Sequence, residues 1–271
     1  MNVRAALAAA SAGLATVSET ARLDAELLMA HALGVERDAL LLGDQERPAP
    51  EGFDALVERR LAHEPIAYII GRRDFWTIRL AVGTGALVPR PDSETLIEAA
   101  VAHFGERGPT TVLDLGTGPG TLLLAALAQW PEARGLGVDA SDDALAYAKR
   151  NAAALGLAGR AVFRSGDWTE GLEGRFELIL CNPPYIEARA TLPPDVADWE
   201  PAGALYAGVD GLDAYRRLAP LLGPRLAPGG IACIEIGAGQ AAAVSALFAA
   251  EGFIIEARAD LGGIPRALIL R

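Results

Sequence analysis

Asn182-Pro183-Pro184-Tyr185 follows the apolar run Phe176-Glu177-Leu178-Ile179-Leu180-Cys181, which reads as a strand about to end. These residue types at a strand end fit one chemistry: methylation of a planar amino nitrogen bonded to an sp² carbon. Such a nitrogen is a poor nucleophile, because its lone pair is delocalised. A site must hold the NH₂ by hydrogen bonds and aim the lone pair at an electrophilic methyl group. The Asn182 side-chain carbonyl accepts one N–H. A backbone carbonyl of the Pro183-Pro184 segment accepts the other. Two successive prolines fix φ and carry no N–H, so they form a stiff turn that offers carbonyls without a competing donor. Tyr185 would cover the flat acceptor group. The same four residues also compose an ordinary turn, and the residues upstream must decide between the two readings.

Upstream, Val112-Leu113-Asp114-Leu115 reads as a short strand running into Gly116-Thr117-Gly118-Pro119-Gly120, and Thr121 to Ala128 reads as a helix. Glycines here let the backbone approach a ligand closely, and the helix start offers free N–H groups. The spacing GxGxG differs from the dinucleotide fingerprint GxGxxG. Pro119 removes an N–H that a pyrophosphate would need, and Asp114 would repel phosphate. An acid at that position suits a cationic or amine-bearing ligand. The next strand, Gly135-Leu136-Gly137-Val138, ends in Asp139, at the distance where a carboxylate takes ribose hydroxyls in Rossmann-like folds. Asp114, the glycine loop with Thr117, and Asp139 together fit S-adenosylmethionine. Its amino-acid end would lie near the loop and its ribose on Asp139. The alternative is a generic strand–turn–helix in which Asp139 caps a helix. Gly166-Asp167-Trp168 would border the adenine, with Trp168 as a stacking face and Asp167 as a polar contact. Taken without the neighbouring motifs, that patch reads more readily as a surface loop anchored by its tryptophan.

With these residues placed, the chain resembles the protein-(glutamine-N5) methyltransferases that modify peptide chain release factors, the PrmC/HemK family. The resemblance spans nearly the whole chain. Asp24 to Leu28 and His31 to Gly34 look like the family's helical domain, and Glu64 to Gly71 with Phe75-Trp76 like its linker. Val88-Pro89-Arg90-Pro91 with Glu94 resembles the segment before its catalytic domain. Asp210 to Asp213, Pro228-Gly229-Gly230, Glu235-Ile236-Gly237, Gln240 and Gly262 to Arg266 resemble its tail. The resemblance implies S-adenosyl-L-methionine as methyl donor, S-adenosyl-L-homocysteine as product, and the glutamine of a release factor GGQ motif as acceptor. It implies that Gly116, Thr117, Gly118, Pro119, Gly120, Asp139, Trp168 and Asn182 bind the cofactor, beside the Asp114 and Asp167 contacts read from the residues above. It implies that Asn182, Pro183, Pro184 and Tyr185 hold the substrate, with Asn182, Pro183 and Tyr185 at the chemistry. Two departures stand out: Asp92-Ser93-Glu94 replaces an acid-Thr-acid run, and Pro119 stands where Ser or Thr is more usual.

The elements that must position these residues follow from periodicity. Residues 1–72 show helical spacing, with Leu23, Leu27, Leu28, Ala30 and Leu33 on one apolar face and Phe53, Leu56, Val57 and Leu61 on another. This part is read as a small all-helical domain that recognises the release factor. Residues 73–90 alternate and read as a β-hairpin linker. Residues 91–271 alternate strands and helices, with strands expected at 112–115, 135–138, 161–164, 176–181, 231–236 and near 253–257 and 266–270. The expected class is α/β: a Rossmann-like class I S-adenosylmethionine methyltransferase sheet, mostly parallel, with one antiparallel strand from a terminal hairpin. The irregular segment 186–215 is expected to form part of the substrate wall; Glu200 within it has no evident role.

Composition bounds the partners. The formal charge of −11 disfavours a generic nucleic-acid binder and fits either a basic protein partner or plain solubility. The rival activity, methylation of adenine or guanine amino groups in nucleic acid, shares the Asn-Pro-Pro-Tyr turn but should carry a basic groove. A second rival is a catalytically dead scaffold serving as an adaptor. No apolar run long enough for a membrane span appears. Two cysteines in apolar strand contexts point to a reduced cytoplasmic setting, and three histidines show no metal-ligand spacing. The chain is expected to act as a monomer without a metal.

Overall fold

The computed structural model describes all 271 residues. Five helices open the chain: α1 (Val3–Leu14), α2 (Ala21–Ala32), α3 (Arg37–Leu42), α4 (Phe53–Leu61) and α5 (Ile66–Ile70). A two-stranded hairpin follows, β1 (Arg72–Phe75) and β2 (Ile78–Ala81). Next come α6 (Glu94–Phe104), β3 (Thr111–Leu115), α7 (Thr121–Gln129), β4 (Arg134–Asp139), α8 (Asp142–Ala154), β5 (Ala161–Ser165) and β6 (Phe176–Cys181). The chain continues through α9 (Pro194–Ala197), α10 (Asp213–Leu222), β7 (Leu226–Glu235), α11 (Ala241–Ala250), β8 (Ile255–Ala259) and β9 (Pro265–Leu270).

Two compact units result: Met1–Arg72 with Leu192–Trp199, and Arg73–Thr191 with Glu200–Arg271. In the first, Asn2 caps α1 by accepting the Ala5 N–H at 2.9 Å. Val3, Leu7, Leu14, Leu28, Met29, Leu40 and Phe53 form its core. The apolar faces expected here are partly wrong. Leu23 and Leu61 are each 39% exposed, whereas Asp24 and Arg60 are each 5% exposed. The reason is an ion pair: Arg60 Nε donates to Asp24 Oδ2 at 2.9 Å, and Arg60 Nη2 reaches Asp195 at 3.3 Å. Pairing lets two charges occupy positions that hydropathy assigns to leucine.

In the second unit a seven-stranded sheet runs in the order β5-β4-β3-β6-β7-β9-β8. β3 pairs in parallel with both β4 and β6, and β6 with β7. β9 alone runs against the other six strands, inserted between β7 and β8 by the terminal hairpin. Leu113, Leu115, Ile179 and Cys181 share one face of the sheet with Tyr215 and Leu218 of α10 and Val244 and Phe248 of α11. α7 buries Leu122 through Leu127 without a gap, as a helix does when it is covered on all sides. This order places the C-terminal ends of β3, β4 and β6 side by side, and ligands of open α/β sheets sit at such ends. No helix is long and apolar enough to cross a membrane.

Candidate active site

A cavity of about 610 Å³ opens at those strand ends. Its floor is the loop that follows β3. Gly116, Gly118 and Gly120 have φ of 69°, 55° and 87°. Gly120 is constrained twice, because a Cβ there would also lie 2.8 Å from Leu124 Cδ1. A Cβ on Gly116 would meet the Trp168 ring at 3.7 Å and the Asn182 carbonyl oxygen at 3.8 Å. Three motifs from distant parts of the sequence therefore meet around one glycine.

Asp114 is 1% exposed and lines the cavity. Its Oδ2 accepts from Thr117 Oγ1 at 2.6 Å and from the Leu123 N–H at 3.1 Å. Its Oδ1 has no partner. Burial pushes its pKa up to about 7, and the charge of Asp139 adds to the rise, while Thr117 and Leu123 oppose it. A buried carboxylate with one bare oxygen beside a cavity calls for a cationic donor. Asp139 is half-buried and is not a helix cap: Ser141 caps α8 through the Ala144 N–H. Asp139 Oδ2 accepts the Gly118 N–H at 2.7 Å and Oδ1 the Ser141 N–H at 2.8 Å. Each oxygen keeps a lone pair for a hydroxyl. Together these residues fit the amine and ribose of S-adenosylmethionine.

Asp167 and Trp168 border the same cavity. Asp167 is ion-paired with Arg217, another lining residue. Trp168 has φ of 50°, and its buried Nε1 has no partner. From the segment expected to form a wall, Pro201, Gly203, Ala204, Tyr206, Ala207 and Gly208 line the cavity. Leu192–Trp199 instead groups with the helical unit.

The Asn-Pro-Pro-Tyr turn divides its labour. Asn182 and Pro184 line the cavity; Pro183 and Tyr185 do not. Asn182 Nδ2 donates to Ser93 Oγ at 3.1 Å, which leaves Oδ1 as the group available to a ligand. Tyr185, expected to cover the acceptor, turns instead into the protein. Its ring lies close enough to Gly237 that a Cβ there would approach Cδ2 to 3.0 Å. Its hydroxyl lies 3.4 Å from Glu235 Oε1, and burial raises its pKa well above the usual phenol range. Gln240 Nε2 donates to the Tyr185 carbonyl at 3.0 Å while Oε1 accepts the Gly237 N–H at 3.0 Å, pinning the turn from behind.

Sequence reasoning quoted Glu235 within a tail motif but missed its burial, and it missed the roles of Ser93 and Glu200. Glu235 ends β7 at 1% exposure, and its Oε2 has no partner. Burial raises its pKa to about 7, and Asp92 pushes the same way. Ser93, Tyr185 and Arg266 oppose the rise. The available signal was a lone carboxylate inside the apolar run Ile231 to Ile236. Glu200 binds the Pro-Arg-Pro segment, accepting the Val88 N–H at 3.0 Å and pairing with Arg90. Its partners lie 110 and 112 residues away, beyond the reach of local pattern.

Fold and site define a Rossmann-like class I methyltransferase. Residues 5–71 match the family model of the PrmC N-terminal domain, and residues 92–197 match the methyltransferase small domain. The release factor glutamine methyltransferase of Rhodospirillum rubrum is 46% identical over 259 residues, covering 93% of this chain and 79% of that one. The one from Caulobacter vibrioides is 46% identical over 236 residues, covering 85% and 82%. The chain belongs to the release factor glutamine methyltransferase family. Among solved structures, the ribosomal protein L11 methylase of Lactobacillus delbrueckii superposes with a TM-score of 0.52 at 22% identity, over 70% of this chain and 83% of that one. The 16S rRNA N2 G1207 methyltransferase of Thermus thermophilus also gives 0.52 at 22%, over 74% and 49%. At that identity these two share the fold alone.

Proposed function

We propose that the protein transfers a methyl group from S-adenosyl-L-methionine to the side-chain nitrogen of a glutamine in peptide chain release factors, the glutamine of their GGQ motif. The observation that carries the reading is Asn182. Ser93 takes its amide NH₂, so Oδ1 stands as an acceptor in the cavity that Asp114, the glycine loop and Asp139 also line. Asp114, Gly116, Thr117, Gly118, Pro119, Asp139, Asp167 and Trp168 would hold the cofactor. When bound, its sulfonium supplies an electrophilic methyl.

Asn182 Oδ1 and a carbonyl of the Pro183-Pro184 turn hold the two N–H bonds of the glutamine, which fixes the nitrogen and aims its lone pair. Alignment of this kind supplies roughly 7–11 kcal/mol of the barrier reduction. As the nitrogen gains the methyl and the electron pair of the broken bond returns to sulfur, one amide proton becomes acidic; these two carbonyls hold it by hydrogen bonding until it passes to solvent water. Tyr185, Gln240 and Gly237 keep the turn rigid from behind.

A protein acceptor is favoured over nucleic acid by the charges at the mouth. Arg90 and Arg217 both line the cavity, and each is paired with a carboxylate, so neither is free for a phosphate. The helical unit, residues 1–72, is assigned the recognition of the release factor. The protein works as a cytoplasmic monomer in this reading. Incubation with release factors and labelled cofactor, followed by peptide mass spectrometry, tests it. The expected result is one added methyl on a glutamine of the release factor. Label appearing instead in added RNA or DNA would establish the rival activity.

A further inference from the structure

Glu200 is a buried acid, 6% exposed, and the methyl transfer described above does not use it. We propose that Glu200 is a positioning residue for the acceptor: its carboxylate clasps the Pro-Arg-Pro segment to the wall that follows the catalytic turn, closing a collar around the end of the cavity where the glutamine is held. The inference rests on the methyl-transfer reading of the site.

The collar is a closed circuit of contacts. Asn182 Nδ2 donates to Ser93 Oγ at 3.1 Å. The Ser93 N–H donates to the Arg90 carbonyl at 3.2 Å. The Arg90 guanidinium is ion-paired with Glu200 Oε1. From Glu200 the chain runs through Pro201 and Ala204 to Leu205, whose carbonyl accepts the Ile186 N–H at 2.9 Å. The Ala207 N–H returns to the Ile186 carbonyl at 2.8 Å, and Ile186 forms a parallel bridge with Tyr206. Ile186 directly follows Tyr185, so the circuit ends at the turn where it began. Arg90, Ser93, Asn182, Pro201, Ala204 and Tyr206, all on this circuit, line the cavity. The residues assigned to the cofactor's amine and ribose, Asp114 and Asp139, lie off it.

Glu200 is suited to close that circuit. Its two oxygens have separate tasks: Oε2 accepts the Val88 N–H at 3.0 Å, and Oε1 takes Arg90. Gripping the segment at 88 and 90 fixes Pro89 between them, and Pro89 lines the cavity. Pro89 and Pro91 carry no N–H, so few backbone donors remain by which this segment can be held. The Glu200 side chain is 1% exposed, against 35% for Arg90. A carboxylate is dispensable there for packing, since an apolar side chain of similar size would fill the space. Such a side chain could not accept the Val88 N–H or pair with Arg90. Without the carboxylate, the Glu200 end of the wall parts from the Pro-Arg-Pro segment, while the bridge between Ile186 and Tyr206 keeps the other end beside the turn. The acceptor side chain is then enclosed on fewer sides. Contacts that merely enclose it act alike before and during transfer, so their loss raises KM rather than lowering the turnover number.

The test uses the full chain, a release factor substrate and saturating cofactor. For Glu200→Ala the KM for the release factor should rise about tenfold or more, the scale of one charge-assisted hydrogen bond. Its turnover number and its affinity for S-adenosylhomocysteine should stay within about twofold of wild type. Glu200→Gln keeps an acceptor for the Val88 N–H and should recover part of the KM. Arg90→Ala should raise KM as well, and the double variant should lose no more than Glu200→Ala alone, because both break one clasp. Hydrogen exchange reads the clasp directly. The Val88 N–H should exchange faster in Glu200→Ala, while the Ala81 N–H, held by Asn151, keeps its protection. Should Glu200→Ala fail to fold, as judged by circular dichroism, Glu200→Gln and Arg90→Ala decide, and wild-type KM in both would overturn the proposal. So would wild-type KM in a folded Glu200→Ala, S-adenosylhomocysteine affinity falling in step with KM, multiplied losses in the double variant, or unchanged exchange at Val88. Absence of glutamine methylation by the wild type would overturn the methyl-transfer reading instead, and exchange at Val88 would still report on the clasp.

Discussion

Two buried acids, Asp114 in the cavity and Glu235 behind the catalytic turn, each have a pKa raised to about 7, and each retains an oxygen without a partner. An unfolded carboxylate titrates near pH 4. Between about pH 4 and about pH 7 the folded protein holds a proton on Asp114 that the unfolded chain has lost. The contribution of this group to stability therefore falls as pH rises through that window. Asp114→Asn removes the dependence. Its thermal transition should gain on that of the wild type between pH 5 and pH 8 in the absence of cofactor, while its affinity for S-adenosylmethionine drops. An unchanged difference across that range would show that Asp114 is not protonated as described. Asp139→Ala should weaken cofactor binding by roughly 1.5–3 kcal/mol for each lost charge-assisted hydrogen bond, measured by calorimetry. Equal affinity in a folded variant would sink the ribose assignment. Both aspartates were legible in the sequence as candidates, Asp114 because it runs into the glycine turn and Asp139 because it ends the next apolar strand. Glu235 was quoted only as part of a tail motif, because its contact with Tyr185 spans 50 residues.

At the scale of elements, the strands and the β-hairpin lie close to where alternation and turn residues placed them. The terminal hairpin puts β9 antiparallel within an otherwise parallel sheet, as the Gly262-Gly263 turn led one to expect. Hidden from sequence were the polar clasps between elements. Asn151 of α8 is 1% exposed and ties the hairpin to the glycine loop. Its Oδ1 accepts the Ala81 N–H at 2.8 Å, and its Nδ2 donates to the Ala81 carbonyl at 3.1 Å and the Pro119 carbonyl at 2.9 Å. In the sequence it is one polar residue on a helix, with nothing to mark it as buried. Asn151→Ala leaves buried backbone groups unpaired and should cost about 1–3 kcal/mol for each such group. Denaturant unfolding measures this, and a variant as stable as wild type would show that the clasp carries no weight. The apolar faces of α2 and α4 failed for a related reason. Hydropathy scores residues singly, and only the partnership of Asp24 with Arg60 makes their burial tolerable.

For the molecule as a whole, that same pair offers a way to test the division of labour without cutting the chain. Asp24→Ala leaves Arg60 with the partly exposed Asp195 as its one ion-pair partner, beside the Glu64 carbonyl, and breaking a buried pair costs roughly 3–5 kcal/mol. The helical unit should melt early while the second unit still binds cofactor. Methylation of an intact release factor should then fall steeply. Undiminished methylation with the helical unit unfolded would remove its recognition role. The recognition surface itself was not legible, because a docking face has no periodic signature in one sequence. The acidic balance of −11 points only to the sign of a partner's charge.

The most direct measurement is the initial rate of methyl incorporation into a release factor glutamine, followed by mass spectrometry, for wild type, Asn182→Ala and Asn182→Asp, with cofactor affinity measured alongside. Wild type should methylate, and Asn182→Ala should lose most of the rate. Asn182→Asp should retain more than alanine because it keeps an acceptor, and affinity should change less than rate. An Asn182→Ala variant as active as wild type would contradict the claim that this turn holds the methyl acceptor.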